Sequence, residues 1–209
     1  MLWLWIACVG SEKETPFEVS AGGRLEPIEE LKLDAPPPNS TEQVAWISGD
    51  EGDYAWVHLR GFLATDLDGA WSALRQPEVF IDMREIDDYT IAEVDDPQYD
   101  YVYDVHNVVH DILTVEFDVQ WRHAGEYEEE ILKRVGVRWQ KVAGTPYIAS
   151  LQGSVQIIPA QGTEQLVEVQ VIEHLTATLD QEDNAIQYVT DLYARWNAII
   201  NGDPLPTYD

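Results

Sequence analysis

The sequence predicts an α+β domain in which a curved antiparallel sheet of seven strands wraps around one long C-terminal helix. Between residues 99 and 175, apolar and polar residues alternate as they do in strands with one buried face. After residue 180 the apolar residues recur every three or four positions, which indicates an amphipathic helix. A curved sheet closed by one helix tends to enclose a cavity, so the pattern predicts a shape that can hold a small molecule.

The first strand is predicted at residues 54–62, and a short helix follows at residues 65–74, where the spacing of apolar residues changes from alternation to one helical face. Pro77 ends this helix, because proline cannot donate the next backbone hydrogen bond. A second short helix is predicted at residues 78–83, and the second strand at residues 84–93. Both short helices therefore lie between the first two strands.

Five more strands are predicted from the alternating segments, at residues 99–109, 113–121, 135–139, 147–158 and 166–175. In all five the apolar residues fall on odd numbers, so odd-numbered residues should point to the buried face of one continuous sheet. The final helix, residues 180–201, stops at Gly202, a common C-terminal helix stop. Its apolar stripe should lie across the concave face of the sheet.

Composition excludes some function classes. The 209 residues include 12 Lys and Arg against 39 Asp and Glu, for a formal net charge of −27. Such a charge repels phosphate backbones and anionic lipid headgroups, so we expect no nucleic-acid partner. Hydrophobic residues make up 45% of the chain, which is enough for a real core.

The N-terminal run, residues 1–10, is apolar and holds Cys8, the single cysteine of the chain. It resembles the end of a bacterial lipoprotein signal, in which a small residue such as Ala7 precedes the cysteine that is lipidated. The resemblance implies that Cys8 is the mature N-terminus and that the protein is lipid-anchored on the extracytoplasmic side of a bacterial cell envelope. Contact with a membrane is then expected only through this anchor. The alternative is a free thiol in an apolar N-terminus of a cytoplasmic protein.

Three further segments are distinguished by composition. Residues 11–43 hold Gly22, Gly23, the proline run at 36–38 and scattered acids, with no sustained apolar period, and are predicted to be a flexible acidic tether. Residues 44–203 form the predicted folded domain. Residues 204–209 form a short tail.

Three segments of the folded region resemble those of a known family. They are Val-His-Leu-Arg-Gly-Phe at 57–62, Asp-Gly-Ala-Trp-Ser-Ala-Leu-Arg-Gln-Pro-Glu at 68–78 and Tyr-Ala-Arg-Trp-Asn at 193–197. With the order of elements, they resemble the START-like superfamily, also called SRPBCC or helix-grip, which includes polyketide cyclase-like proteins. The resemblance implies a deep, mostly apolar pocket between sheet and helix, of the kind used for lipids, sterols and polyketides. It transfers no catalytic residue, because the fold hosts binding proteins and enzymes alike.

Candidate ligand contacts are aromatic, apolar or acidic residues of the inward face of the sheet and of the terminal helix. They are Tyr101, Tyr103, Phe117, Trp121, Trp139 and Glu173 on the strands, and Tyr188, Leu192 and Trp196 on the helix. A carboxyl in an apolar pocket should have a raised pKa, which makes Glu173 a group that can orient a ligand or move a proton.

No reaction motif is present, so no catalytic residue, cofactor or metal is assigned. His106 and His110 have metalloprotease spacing, but in a strand residues four apart are separated by about 13 Å, too far to share one ion. We therefore expect a non-enzymatic protein that binds or carries a hydrophobic small molecule or lipid. Two alternatives stay open: a cyclase or lyase that uses Glu173 or a tyrosine as acid-base, and a protein-interaction module whose interior is filled by its own side chains.

Overall fold

The computed structural model describes residues 24–36, 44–110, 113–160, 162–163 and 165–208. Cys8 and the rest of the predicted lipoprotein-like start, residues 1–10, lie outside these residues. So do residues 11–23 and 37–43 of the predicted tether.

The described chain forms one eight-stranded antiparallel sheet and two α-helices. The strands are β1 Val44–Asp50, β2 Ala55–Leu63, β3 Asp88–Glu93, β4 Tyr101–His110, β5 Thr114–Glu128, β6 Ile131–Gly144, β7 Ile148–Pro159 and β8 Val167–Ala177. The helices are α1 Leu67–Leu74 and α2 Gln181–Asn201, with a 3-10 turn at Pro77–Val79. The strand order in the sheet is β1-β2-β8-β7-β6-β5-β4-β3, so β8 returns to pair with β2, and α2 packs mainly against these two strands.

The predicted count of seven strands is wrong, because β1 was missed. This strand is an edge strand that pairs only with β2, and none of its residues is fully buried. An edge strand without a buried face lacks the strong alternation on which the prediction depended.

The predicted helix at residues 78–83 is also wrong: only the 3-10 turn Pro77–Val79 forms there. The backbone N–H groups of Glu85 and Ile86 both donate to the carbonyl oxygen of Asp82, which closes a turn. This turn delays β3 until Asp88, four residues after the predicted start of that strand.

The core lies between the concave face of the sheet and α2. In β8 the odd-numbered Val167, Val169 and Val171 are buried, as the alternation predicts, and they meet Val189 and Trp196 of α2 in one cluster. The C-terminal helix therefore packs across the sheet, and α1 covers the core beside it.

One row of residues crosses the concave face from β4 to β8. Tyr103 pairs with Trp121, Trp121 with Trp139, Trp139 with Gly153, and Gly153 with Glu173. Gly153 is required in this row, because a Cβ atom there would lie 1.9 Å from the Trp139 ring carbon Cζ2. The missing side chain lets the indole lie across β7 toward Glu173.

Residues 24–36, named here the outer strap, lie against the convex face of the sheet. The backbone N–H of Ile28 donates to Ser154 Oγ over 3.1 Å, and the Arg60 guanidinium donates to the Leu33 carbonyl oxygen over 3.0 Å. Thus part of the segment predicted as a flexible tether is attached to the sheet. The boundaries of the predicted segments stay a prediction.

Candidate functional site

A cavity of about 470 Å³ lies between the sheet and α2. It occupies the end of the sheet where the β4–β5 turn, the β6–β7 turn and the β8–α2 loop meet. Its walls are mainly apolar and include Ile86, Val105, Val119, Leu151 and Leu175. The volume lies in the range of small-molecule pockets, about 300–1,000 Å³.

Three exposed apolar side chains stand at the mouth of this cavity. Leu113 follows β4, Tyr147 precedes β7 and Leu179 precedes α2, and their exposed fractions are 56%, 42% and 75%. Each belongs to a different connection, so the rim is apolar on several sides. An apolar ligand that enters here passes apolar groups before it reaches the interior.

Four of the nine predicted ligand contacts line the cavity: Phe117, Trp121, Glu173 and Tyr188. The other five do not line the cavity: Tyr103, Trp139, Leu192 and Trp196 lie buried in the packed part of the interior, and Tyr101 is partly buried against it. The residue pattern predicts which face of a strand or helix is buried. It does not predict which positions along that face border the cavity, so the sequence did not distinguish the residues that line the cavity from those that do not.

The boundary between cavity and packed core is formed by Phe80, a residue that the sequence analysis did not single out. Its ring centroid lies 4.4 Å from that of Trp121 and 6.0 Å from that of Trp196, so it separates Trp196 from the cavity. The neighbouring Ile81 and Asp82 also line the cavity. The apolar run at 79–81, which follows Glu78, is too short to show a period, so the sequence carried no sufficient signal for this wall.

Glu173 is the deepest charged residue of the cavity wall. It is 1% exposed, and its Oε2 has no hydrogen-bond partner among the described residues. Burial raises the pKa of this carboxyl well above the ordinary 4.5, the charge of Asp82 raises it further, and the Trp139 indole opposes the rise. The neutral form is therefore favoured in the ligand-free protein.

Two other polar groups of the wall have their donors satisfied within the protein. The Asn107 side-chain amide donates to the carbonyl oxygens of Val105 over 3.0 Å and Phe117 over 3.3 Å. The Tyr188 hydroxyl donates to the carbonyl oxygen of Phe80 over 2.9 Å. Each group then has only an acceptor oxygen left for a ligand.

A second polar cluster lies under the outer strap, on the opposite face of the sheet. Glu29 Oε1 lies 2.6 Å from His58 Nε2 and 3.1 Å from His174 Nε2, and all the candidate ligand atoms of the three residues lie within 4.8 Å of one another. Two imidazoles and one carboxylate are a common ligand set for a divalent metal.

The hydrogen bonds of this cluster favour a proton-bearing arrangement over a metal site. The backbone N–H of Lys32 donates to His58 Nδ1 over 3.0 Å, so in the neutral ring the proton is on Nε2. A ligating histidine instead donates its other N–H to an acceptor and binds the ion with a free lone pair. His58 Nε2–H therefore donates to Glu29 Oε1, and this hydrogen bond holds the outer strap on the sheet.

Burial and hydrogen bonding set the pKa values of this cluster. Burial alone would raise the pKa of Glu29, but hydrogen bonds from His174 and His58 outweigh it and lower that pKa below 4.5. Burial lowers the pKa of His58 below 6.5, against the opposing hydrogen bond to Glu29. The cluster thus holds an ionised carboxylate between imidazole N–H groups.

His106 and His110 lie on β4 with separate carboxylate partners. His106 Nδ1 is 2.7 Å from Asp118 Oδ1, and His110 Nε2 is 3.4 Å from Asp88 Oδ2. The two residues do not converge on one point, in agreement with the strand interpretation of their spacing.

No protein-family model matches the chain, and no curated protein matches it in sequence. Solved structures do match. The lipid transfer and protein localization domain of human StarD13 is 12% identical, with a TM-score of 0.51, and the match covers 78% of this chain and 85% of that chain. A STAR-related lipid transfer protein from Xanthomonas axonopodis is 14% identical, with a TM-score of 0.50 and coverage of 78% and 94%.

A third match, the Zhui aromatase/cyclase from a Streptomyces species, is 9% identical with a TM-score of 0.43, over 71% of this chain and 93% of that chain. The first two matches establish the fold and not the ligand, because their sequences are so different. The chain has the helix-grip fold of START-like proteins, as the resemblance in its sequence predicted. Neither helix of the described chain is both long and apolar enough to cross a membrane.

Proposed function

We propose that the protein binds or carries a hydrophobic small molecule or lipid in the cavity between the sheet and α2. The observation that carries the proposal is the cavity of about 470 Å³ with mainly apolar walls and one buried carboxyl, Glu173, whose Oε2 has no partner within the described part of the chain. Protein interiors contain few voids larger than a water molecule, whose share of liquid volume is about 30 Å³. A space this large, next to a tightly packed core, fits a bound ligand.

The structural neighbours support the same class of ligand. The human and Xanthomonas domains are both named for lipid transfer. These two domains and the present chain share a fold, so hydrophobic binding is the function that the comparison favours. The specific ligand is not given by the fold.

A second candidate, a cyclase or lyase, is favoured by one observation. Such an enzyme needs an acid-base group inside the cavity, and Glu173 lies there with a raised pKa and an oxygen that no described residue hydrogen-bonds. The interaction-module alternative required an interior filled by its own side chains. Because the interior contains a cavity of about 470 Å³, the interaction-module alternative lacks the observation on which it depended.

We further propose that Cys8 is lipidated and anchors the protein in a bacterial cell envelope. The support is the apolar run that ends in Ala7 and Cys8, followed by polar residues. Two or more acyl chains suffice for stable anchoring. Mass spectrometry of the N-terminal peptide from the native host tests this, and an unmodified Cys8 contradicts it.

Binding is tested by titration with the neutral dye Nile red, whose fluorescence rises in apolar surroundings. Leu151 lines the cavity, whereas the adjacent Ser150 is exposed on β7. We expect Leu151→Trp to fill the cavity and weaken dye binding at least about tenfold, while Ser150→Trp leaves it within about threefold. The thermal midpoint of each variant shows that it is folded. Equal dye binding by both folded variants, or none by the unmodified protein, contradicts the proposal.

A further inference from the structure

We infer that the natural ligand of the cavity is an apolar amine, whose ammonium group pairs with Glu173. This inference rests on the proposed binding function and names the class of ligand. Four observations carry it: the sign of the charged wall residues, the missing partner of Glu173, the acceptor character of the other polar wall groups, and the aromatic wall.

The charged residues of the cavity wall are all acidic. They are Asp82, Glu85 and Glu173, and no Lys, Arg or His of the described chain lines the cavity. A fatty acid or a phosphate headgroup placed inside would meet carboxyl groups and no cation. The net charge of −27 adds a field of the same sign, which favours cationic ligands.

Of the three acids, Glu173 is the one suited to a ligand. Asp82 already pairs with the Arg84 guanidinium over 3.1 Å. Glu85 is exposed at the mouth. Glu173 is 1% exposed, and its Oε2 has no partner among the described residues. An unpaired buried polar atom destabilises the folded protein unless a ligand supplies the partner.

Two further polar residues of the wall, Asn107 and Tyr188, have acceptor oxygens left for a ligand donor. Asn107 and Tyr188 use their N–H and O–H groups on backbone carbonyl oxygens, so each offers an acceptor oxygen to the cavity. An ammonium group has three donors and no acceptor, which complements this set.

Aromatic residues complete the wall. Phe117 and Trp121 line the same cavity as Glu173, and aromatic faces attract organic cations. Entry of a protonated amine leaves Glu173 ionised: the carboxyl proton goes to solvent, and the carboxylate accepts hydrogen bonds from the ammonium. Asp82 and the Trp139 indole act on this carboxyl, and burial together with the charge of the carboxylate raises the pKa of the neighbouring Tyr188 hydroxyl.

The test is displacement of Nile red by three ten-carbon ligands with one skeleton: decylamine, decanol and decanoate. We expect decylamine to bind about 10- to 100-fold more tightly than decanol, the ratio for a hydrogen bond to a charged group, and decanoate to bind most weakly. Glu173→Gln should abolish the preference for the amine and keep dye binding. Glu116→Gln, which removes an equal charge from an exposed position of β5 outside the cavity wall, should leave the preference within about threefold.

The possible outcomes distinguish the amine inference from the proposed binding function. Equal binding of decylamine and decanol by the unmodified protein, with dye binding intact, overturns the inference and leaves the proposed function standing. If both variants lose the preference for decylamine, the preference comes from the overall negative charge of the protein and not from Glu173, which also overturns the inference. Failure of the dye to bind at all contradicts the proposed function itself. If Glu173→Gln does not fold, the amine-to-alcohol ratio of the unmodified protein still decides.

Discussion

Glu173 occupies a position in β8 where the alternation of the strand calls for an apolar side chain. Its neighbours along the buried face, Val171 and Leu175, follow that rule. A buried carboxyl without a partner for Oε2 destabilises the folded state. Residues of this kind persist where function needs them, which is why a polar residue on an apolar face was a useful signal in the sequence.

The amount by which the buried Glu173 destabilises the folded protein depends on pH. The pKa of its carboxyl is raised well above 4.5 in the folded protein. A group with a raised folded pKa favours the folded state below the unfolded pKa, and this contribution is lost as pH rises through the folded pKa. Glu173→Gln should therefore gain stability relative to the unmodified protein from pH 4.5 upward, by up to about 1.4 kcal/mol per pH unit, and level off above the folded pKa.

Urea unfolding at a series of pH values from 4 to 9 measures this difference. The exposed Glu85→Gln is the control and should stay within about 0.5 kcal/mol of the unmodified protein throughout. A difference between Glu173→Gln and the unmodified protein that does not vary with pH would show that the carboxyl has an ordinary pKa.

Other residue roles were beyond the reach of the sequence. Gly153 has no local sign of its importance, because what it permits is a cross-strand approach of the Trp139 ring at one register of β6 and β7. Phe80 lies in a short turn, where no periodicity predicts burial. Both depend on which strands become neighbours, which a local pattern does not specify.

At the scale of elements, the order of strands and helices was predictable for those with a buried face. The alternation of β4 to β8 and the period of α2 follow from burial on one side. The edge strand β1 and the outer strap were missed for one reason. Each is held mostly by hydrogen bonds to a neighbouring surface and by few fully buried side chains, so neither has a strong apolar period.

The outer strap should loosen in acid. The pKa of Glu29 is lowered from 4.5 and that of His58 from 6.5 in the folded protein. Groups with depressed folded pKa values stabilise above their unfolded pKa, and this contribution is lost as pH falls through the folded pKa. Attachment of residues 24–36 should therefore weaken below about pH 6.5 and further below 4.5. Glu29→Ala should loosen it at neutral pH, because the buried His58 Nε2–H loses its acceptor.

Hydrogen exchange of the peptide that holds residues 24–36, corrected for intrinsic exchange rates, measures this attachment. An unsatisfied buried donor costs about 1–3 kcal/mol, so exchange in Glu29→Ala should rise roughly 5- to 150-fold. Glu30→Ala, at the exposed neighbouring position, is the matched control and should exchange like the unmodified protein. Equal protection in the two variants would contradict the role of the cluster.

At the scale of the whole molecule, one half of the interior is packed and the other half holds the cavity. Phe80, Trp121 and Trp196 mark the division, with α1 covering the packed half. The resemblance predicted a pocket between sheet and helix. Its position at the end of the sheet and the all-acidic set of charged wall residues required the three-dimensional arrangement.

The most direct test of the central claim, that the cavity holds a hydrophobic small molecule, is native mass spectrometry of the full chain purified from its own host. The account predicts the mass of the protein plus one small molecule, retained in Ser150→Trp and lost in the folded Leu151→Trp. A ligand-free mass for the unmodified protein, or a bound molecule that Leu151→Trp retains, would contradict it.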